Sequence, residues 1–95
     1  MSIFNIFKKK EKVDLEAKRL EYLGRFGRIT EGRIIDTETT ETGEIVFYSY
    51  SVEGADYESS EVILFEQMTN KIKYAPGAKI GVRYDPRRHA NSILV

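Results

Sequence analysis

The stretch EIVFYSYSVEGADYESSEVI, residues 44–63, decides how this chain folds. Its first nine residues alternate. Val46, Tyr48, Tyr50 and Val52 fall on one side of an extended backbone, and Ile45, Phe47, Ser49 and Ser51 on the other. Glu53-Gly54 has the form of a two-residue loop in a tight hairpin. Residues 55–63 then return as the partner strand.

Upstream, RITEGRIID (28–36) is β-branched with one interior glycine. That predicts a strand with a bulge or a close backbone approach at Gly32. A polar loop, TETTETGE (37–44), separates the two strands. Downstream, Leu64, Phe65, Met68 and Ile72 fit about two helical turns, so 64–74 reads as a short helix or an irregular crossover. Ala75-Pro76-Gly77-Ala78 has the proline and glycine of a type II turn, and Asp85-Pro86-Arg87-Arg88 the pattern of a type I turn. Between them lies the strand KIGVRY (79–84), with Ile80, Val82 and Tyr84 on one side. NSILV (91–95) reads as a final strand.

The expected fold is mainly β: a small antiparallel barrel or sandwich of about five strands. An N-terminal amphipathic helix is expected over 13–27, with Val13, Ala17, Leu20 and Leu23 on its docking face. Asp14 is its predicted N-cap, and Gly24 or Gly27 its stop. So short a helix is marginal alone and must dock on the β domain. The chain thus divides into an apolar-basic tail (1–12), a helix (13–27) and a small β domain (28–95).

Composition narrows the function. The 95 residues make one small domain, 41% hydrophobic and 32% charged, which is a globular balance. There is no cysteine and one histidine, which excludes thiolate chemistry and any site needing two imidazoles. No apolar run approaches the roughly 18–20 residues of a membrane span. The start, MSIFNIFKKKEK, puts its apolar patch before its charges and does not read as a secretory signal. The net charge is zero but unevenly placed. Residues 1–33 carry nine Lys/Arg against five Asp/Glu (+4), residues 34–66 nine acids and no Lys/Arg (−9), and residues 67–95 six Lys/Arg against one acid (+5). Two readings follow: internal charge complementarity, or an acidic face that selects a basic partner.

The run Tyr74-x-Pro76-Gly77-x-Lys79-Ile80-x-Val82-x-Tyr84-Asp85-Pro86, followed by Asn91-Ser92-Ile93-Leu94, resembles the C-terminal signature of a widespread uncharacterised prokaryotic family of small β domains of unknown function. Gly32-Arg33-Ile34-Ile35 resembles that family's opening strand, and the residues from Tyr48 to Tyr57 its Y-x-Y-x-V-x-G-x-x-Y hairpin. The resemblance covers roughly 28–95. It implies the fold and a setting often beside a membrane, but no activity. Ala78 and His89 depart from the pattern, standing where the family has an acidic or polar residue and a second proline.

Two clusters are candidate sites. Ile3, Phe4, Ile6 and Phe7 precede Lys8, Lys9, Lys10 and Lys12, a combination suited to weak, reversible contact with an anionic membrane or to a protein partner. The alternative is a frayed tail, or apolar residues docking on the barrel or on a second copy. Arg83, Arg87, Arg88 and His89 could form an anion site, since Arg forks bind carboxylate or phosphate; the alternative is a solvated turn. The acids of the middle third show no converging pair, and no phosphate loop, nucleophile elbow or metal spacing is present. The expectation is a non-catalytic interaction module without catalytic residues, cofactor or metal. It would self-associate or bind a protein, with weak peripheral membrane contact as an option, in the cytoplasm or at the membrane's inner face. A nucleic-acid-binding barrel is the alternative: Phe47, Tyr48, Tyr50 and Tyr57 supply aromatics, but in an acidic segment.

Overall fold

A computed structural model describes residues 3–68 and 70–95, with side chains from Leu15 onward except Lys71. One helix, α1 (Ile3–Phe26), precedes five strands: β1 (Arg28–Thr39), β2 (Gly43–Val52), β3 (Ala55–Leu64), β4 (Lys79–Tyr84) and β5 (Ser92–Leu94). Two 3₁₀ turns, Phe65–Gln67 and Lys71–Tyr74, make the crossover from β3 to β4. All neighbouring strands are antiparallel, in the order β3-β2-β1-β4-β5. Three hairpin-linked strands with a fourth returning beside the first make a Greek key. The sheet curls into a nearly closed barrel, and its two edges, β3 and β5, meet at a seam.

The period-two pattern sets the core. Val46, Tyr48, Tyr50 and Val52 of β2 are buried together with Ile34 of β1, Ile63 of β3, and Ile80 and Val82 of β4. Glu53 and Gly54 adopt positive φ (52° and 84°), as a two-residue hairpin loop requires. The Pro76-Gly77 turn is also as expected: Gly77 has φ 87° and the Ala78 N–H donates to the Ala75 carbonyl at 2.9 Å. This turn extends the sheet, because the Gly77 N–H donates to the Ile34 carbonyl and the Ile34 N–H to the Ala78 carbonyl.

Gly32 is a close approach and not a bulge. A Cβ there would lie 2.6 Å from Val82 Cγ2 and 2.7 Å from the Ser49 carbonyl oxygen. The bulge falls three residues later, where the β1–β2 register slips between Ile34 and Asp36. The expected polar loop shrinks to Thr40–Thr42, since β1 continues to Thr39 and β2 begins at Gly43.

The helix differs most from expectation. Its backbone begins at Ile3, so Asp14 lies in its interior and not at its N-cap. No glycine or proline interrupts residues 3–23, and the Lys/Glu-rich run has high helix propensity. Its docking face also turns. Leu23 is fully buried, but Leu20 is 44% exposed and Ala17 is exposed; Val13 lies outside the residues whose side chains are described. The other anchors are polar. Arg19 donates from Nη1 to the Asn91 side-chain oxygen (3.0 Å) and the Ser92 carbonyl (3.2 Å), and Tyr22 donates to the Asp85 carboxylate (3.2 Å). Hydrophobic periodicity cannot register such anchors. Gly27 follows the helix, its N–H donating to the Leu23 carbonyl at 2.9 Å.

Candidate interaction surface

The alternation that buries one side of β2 turns Ile45 and Phe47 to the other. Ile45 stands opposite Val62 of β3 on one flank and Glu38 of β1 on the other. Phe47 stands opposite Asp36, at the bulge. The bulge places two consecutive residues, Ile35 and Asp36, against one on β2, so β1 turns an extra apolar side chain outward. Val62 is 54% exposed and Ile35 46%. Strands about 4.8 Å apart and same-face neighbours about 7 Å apart make Ile35, Phe47, Ile45 and Val62 one contiguous cluster. Asp36 and Glu38 of β1 border it; one row beyond, Arg33 of β1 and Glu58 of β3 flank Ser49.

The carboxylates of this middle third lack ion-pair partners among the described residues. The ion pairs found there are Arg19–Glu16 (2.6 Å), Arg25–Glu21 (3.8 Å) and Lys79–Glu31 (3.5 Å). Each uses an acid from the first third of the chain. Hydrogen bonding to Arg19 holds the Glu16 carboxyl below its ordinary range. For the expected internal pairing of the acidic middle with the basic ends, Lys8, Lys9, Lys10 and Lys12 lie outside the residues whose side chains are described, and the described Lys and Arg make no direct ion pair with the middle.

The structure disperses the arginines of the second candidate site. Arg83 lies on β4, its stem against Gly27 and its guanidinium 3.4 Å from the Gly24 carbonyl. Arg87 lines a groove with Tyr22, Phe26, Arg28 and Pro86. Arg88 and His89 line another, an open groove of about 700 Å³, with Arg19 and Tyr57. The His89 ring packs edge-on between Tyr57 and Tyr84, at centroid distances of 6.1 and 5.5 Å. Its backbone carbonyl accepts a hydrogen bond from the Tyr50 hydroxyl. Asp85 organises the turn: its carboxylate accepts from the Arg87 N–H (2.8 Å) and from Tyr22. Burial pushes the Asp85 carboxyl up, but the Arg87 N–H, the Asn91 amide, the Tyr22 hydroxyl and the Arg88 N–H outweigh it and hold the group below its ordinary range.

The side chains of Ile3, Phe4, Ile6, Phe7, Lys8, Lys9 and Lys10 lie outside the described residues; their backbone is helical. Tyr48 and Tyr50 face the interior, stacked at 6.0 Å, with the Tyr48 hydroxyl 2.7 Å from Ser92 Oγ. Burial pushes the Tyr50 hydroxyl up. These rings fill the barrel and do not present a stacking platform. Among the described residues no group of three or more His, Asp or Glu side chains is placed to hold a metal ion, and no helix is long and apolar enough to cross a membrane.

Sequence reasoning missed the outer cluster as a surface. Its signal was present: β2 carries apolar residues on both faces at its first half, Ile45 and Phe47 beside Val46 and Tyr48.

Fold and surface together define a small Greek-key β-barrel with an appended helix. The chain belongs to the DUF3592 family, a domain of unknown function, whose model matches residues 27–95. That match covers the barrel and leaves all of α1 outside it. No curated protein matches the chain, and no solved structure does.

Proposed function

We propose that this chain is a non-catalytic interaction module whose contact surface is the outer face of β1–β2–β3. The observation that carries this reading is the outer cluster of exposed Ile35 and Val62 with half-buried Ile45 and Phe47, beside carboxylates without ion-pair partners among the described residues. Apolar side chains exposed singly are ordinary, whereas a contiguous patch with a polar border is the anatomy of a binding surface. The inner face of the same strands already supplies the core, so folding alone does not require this second apolar face. The test is cross-linking and co-purification from the native cell with the wild-type chain and with Ile35→Asp/Val62→Asp. Partners lost, a second copy of the chain included, in a variant with unchanged circular dichroism support the reading; identical recovery of every partner and of the second copy overturns it.

A second reading is peripheral membrane attachment through residues 3–12, favoured by the helical backbone that begins at Ile3. On a helix, positions 3, 4, 6 and 7 share one broad arc, with most of the lysines off it. It would place the chain at the inner face of a membrane, the setting implied by the resemblance to membrane-adjacent prokaryotic domains. Co-sedimentation with vesicles containing anionic lipid, lost on Phe4→Asp/Phe7→Asp, supports it; equal pelleting of both chains overturns it. Nucleic-acid binding and an anion site at Arg83, Arg87, Arg88 and His89 have less support: the Tyr48 and Tyr50 rings point inward, and Arg87 and Arg88 line separate grooves.

A further inference from the structure

We propose that the outer face of β1–β2–β3 receives the apolar-basic segment Ile3–Lys12 of a second copy of this chain. The proposal rests on the reading of that face as the contact surface and names its occupant.

The first argument is complementarity. The face offers Ile35, Phe47, Ile45 and Val62 bordered by Asp36 and Glu38, with Glu58 and Arg33 together in the next row. The segment offers Ile3, Phe4, Ile6 and Phe7 followed by Lys8, Lys9, Lys10 and Lys12. Each has an apolar centre and a charged border, of opposite sign. The middle third carries −9 and the first third +4, so the face and the segment attract each other. Burying the apolar pairs in contact with matched charges satisfies both surfaces at once.

The second argument is reach. Arg19, Tyr22 and Leu23 hold the end of α1 at the turn before β5 and at β5 itself. One turn before Arg19, Leu15 is 62% exposed, so its side chain does not pack on the barrel. It runs unbroken from Ile3 to Phe26, and a 24-residue helix spans about 36 Å without reversing. Its own face on β1–β2–β3 stays uncovered, as the exposure of Ile35 and Val62 records. A second copy can offer its own segment to this face, and reciprocal exchange of the two segments closes a two-fold dimer with two identical contacts.

The test is sedimentation equilibrium of the full chain and two charge-reversed variants, Lys8→Glu/Lys9→Glu on the segment and Asp36→Lys/Glu38→Lys on the face. The expected result is a dimer of 11.0-kDa chains for the wild type. Each variant alone associates at least about tenfold more weakly, because like charges then meet across the contact. An equimolar mixture of the two variants restores the dimer, because each then meets the opposite sign. A monomeric wild type, a dimer indifferent to either reversal, or a mixture that stays monomeric overturns the proposal. Ile35→Asp/Val62→Asp separates the two levels. If that variant loses its cellular partners while the purified wild type is monomeric, the face is a contact surface for another protein and the second-copy assignment falls alone. If it loses no partner and the wild type is monomeric, both fall.

Discussion

The Glu61 carboxylate accepts a hydrogen bond from the Leu94 backbone N–H at 3.2 Å, across the seam where the two edge strands of the barrel face each other. No backbone ladder joins β3 to β5, so a side chain supplies the acceptor that a neighbouring strand would have provided. Closing the seam in this way puts an acid in a half-buried place. Burial pushes the Glu61 carboxyl above its ordinary range, against the opposing pull of the Leu94 N–H and the Arg19 charge, with Glu16 adding to the rise.

That shift has a sign. A carboxyl whose folded value is raised stabilises the fold in acid, and the contribution is lost as pH rises from the ordinary glutamate range through the folded value. Glu61→Gln keeps an oxygen for Leu94 and removes the charge. Thermal unfolding of the variant is expected to occur at higher temperature than wild type near pH 7, with the difference vanishing near pH 3, below the ordinary value of about 4.3. A variant less stable at neutral pH would show that the Arg19 attraction outweighs the burial cost.

Asp85 titrates the other way. Its folded value is depressed, so its contribution is present above the ordinary aspartate range and lost as pH falls through the lowered value. Asp85→Ala strands the Arg87 N–H and the Tyr22 hydroxyl and is expected to cost about 1–3 kcal/mol near neutral pH. Urea unfolding of both chains over a pH series should show the gap narrowing in acid.

Two glycines separate close approach from mere flexibility. Gly32→Ala drives a methyl group against the fully buried Val82 and the Ser49 carbonyl, with an expected loss of about 1–3 kcal/mol. Gly24→Ala meets nothing within 4 Å and lies within α1, so it is expected to stabilise by up to about 1 kcal/mol. Chemical denaturation of the pair gives opposite signs if this account holds.

The docking face of α1 is tested by two leucines. Leu23→Ala removes a fully buried side chain and is expected to cost about 2–4 kcal/mol, while Leu20→Ala, at an exposed position, stays within about 0.5 kcal/mol. The reverse order would restore the face that apolar periodicity predicts.

Much of the barrel was legible because its signals are local. Alternation in 44–52, the Glu53-Gly54 loop and the Pro76-Gly77 turn each depend on residues within a few positions, and each appears as read. The helix face was misread because Arg19 and Tyr22 anchor it through bonds to residues more than 60 positions away. At Gly32 the residues alone allow either a bulge or a close approach, because glycine marks both; the structure shows the close approach, and only the register of β1 against β2 tells them apart.

For the interaction surface the division is sharper. The residues alone determine a small five-stranded β domain with one histidine, no cysteine and an acidic middle third, because composition and period two are properties of the chain. Tertiary structure decided that Ile35 joins Phe47, Ile45 and Val62 on one outer face, through a one-residue slip that reverses the alternation of β1. It also scattered Arg83, Arg87 and Arg88, which lie within six residues of sequence, to different surroundings. Side-chain direction along a strand is set by pairing with its neighbours, and pairing is settled only when the sheet closes.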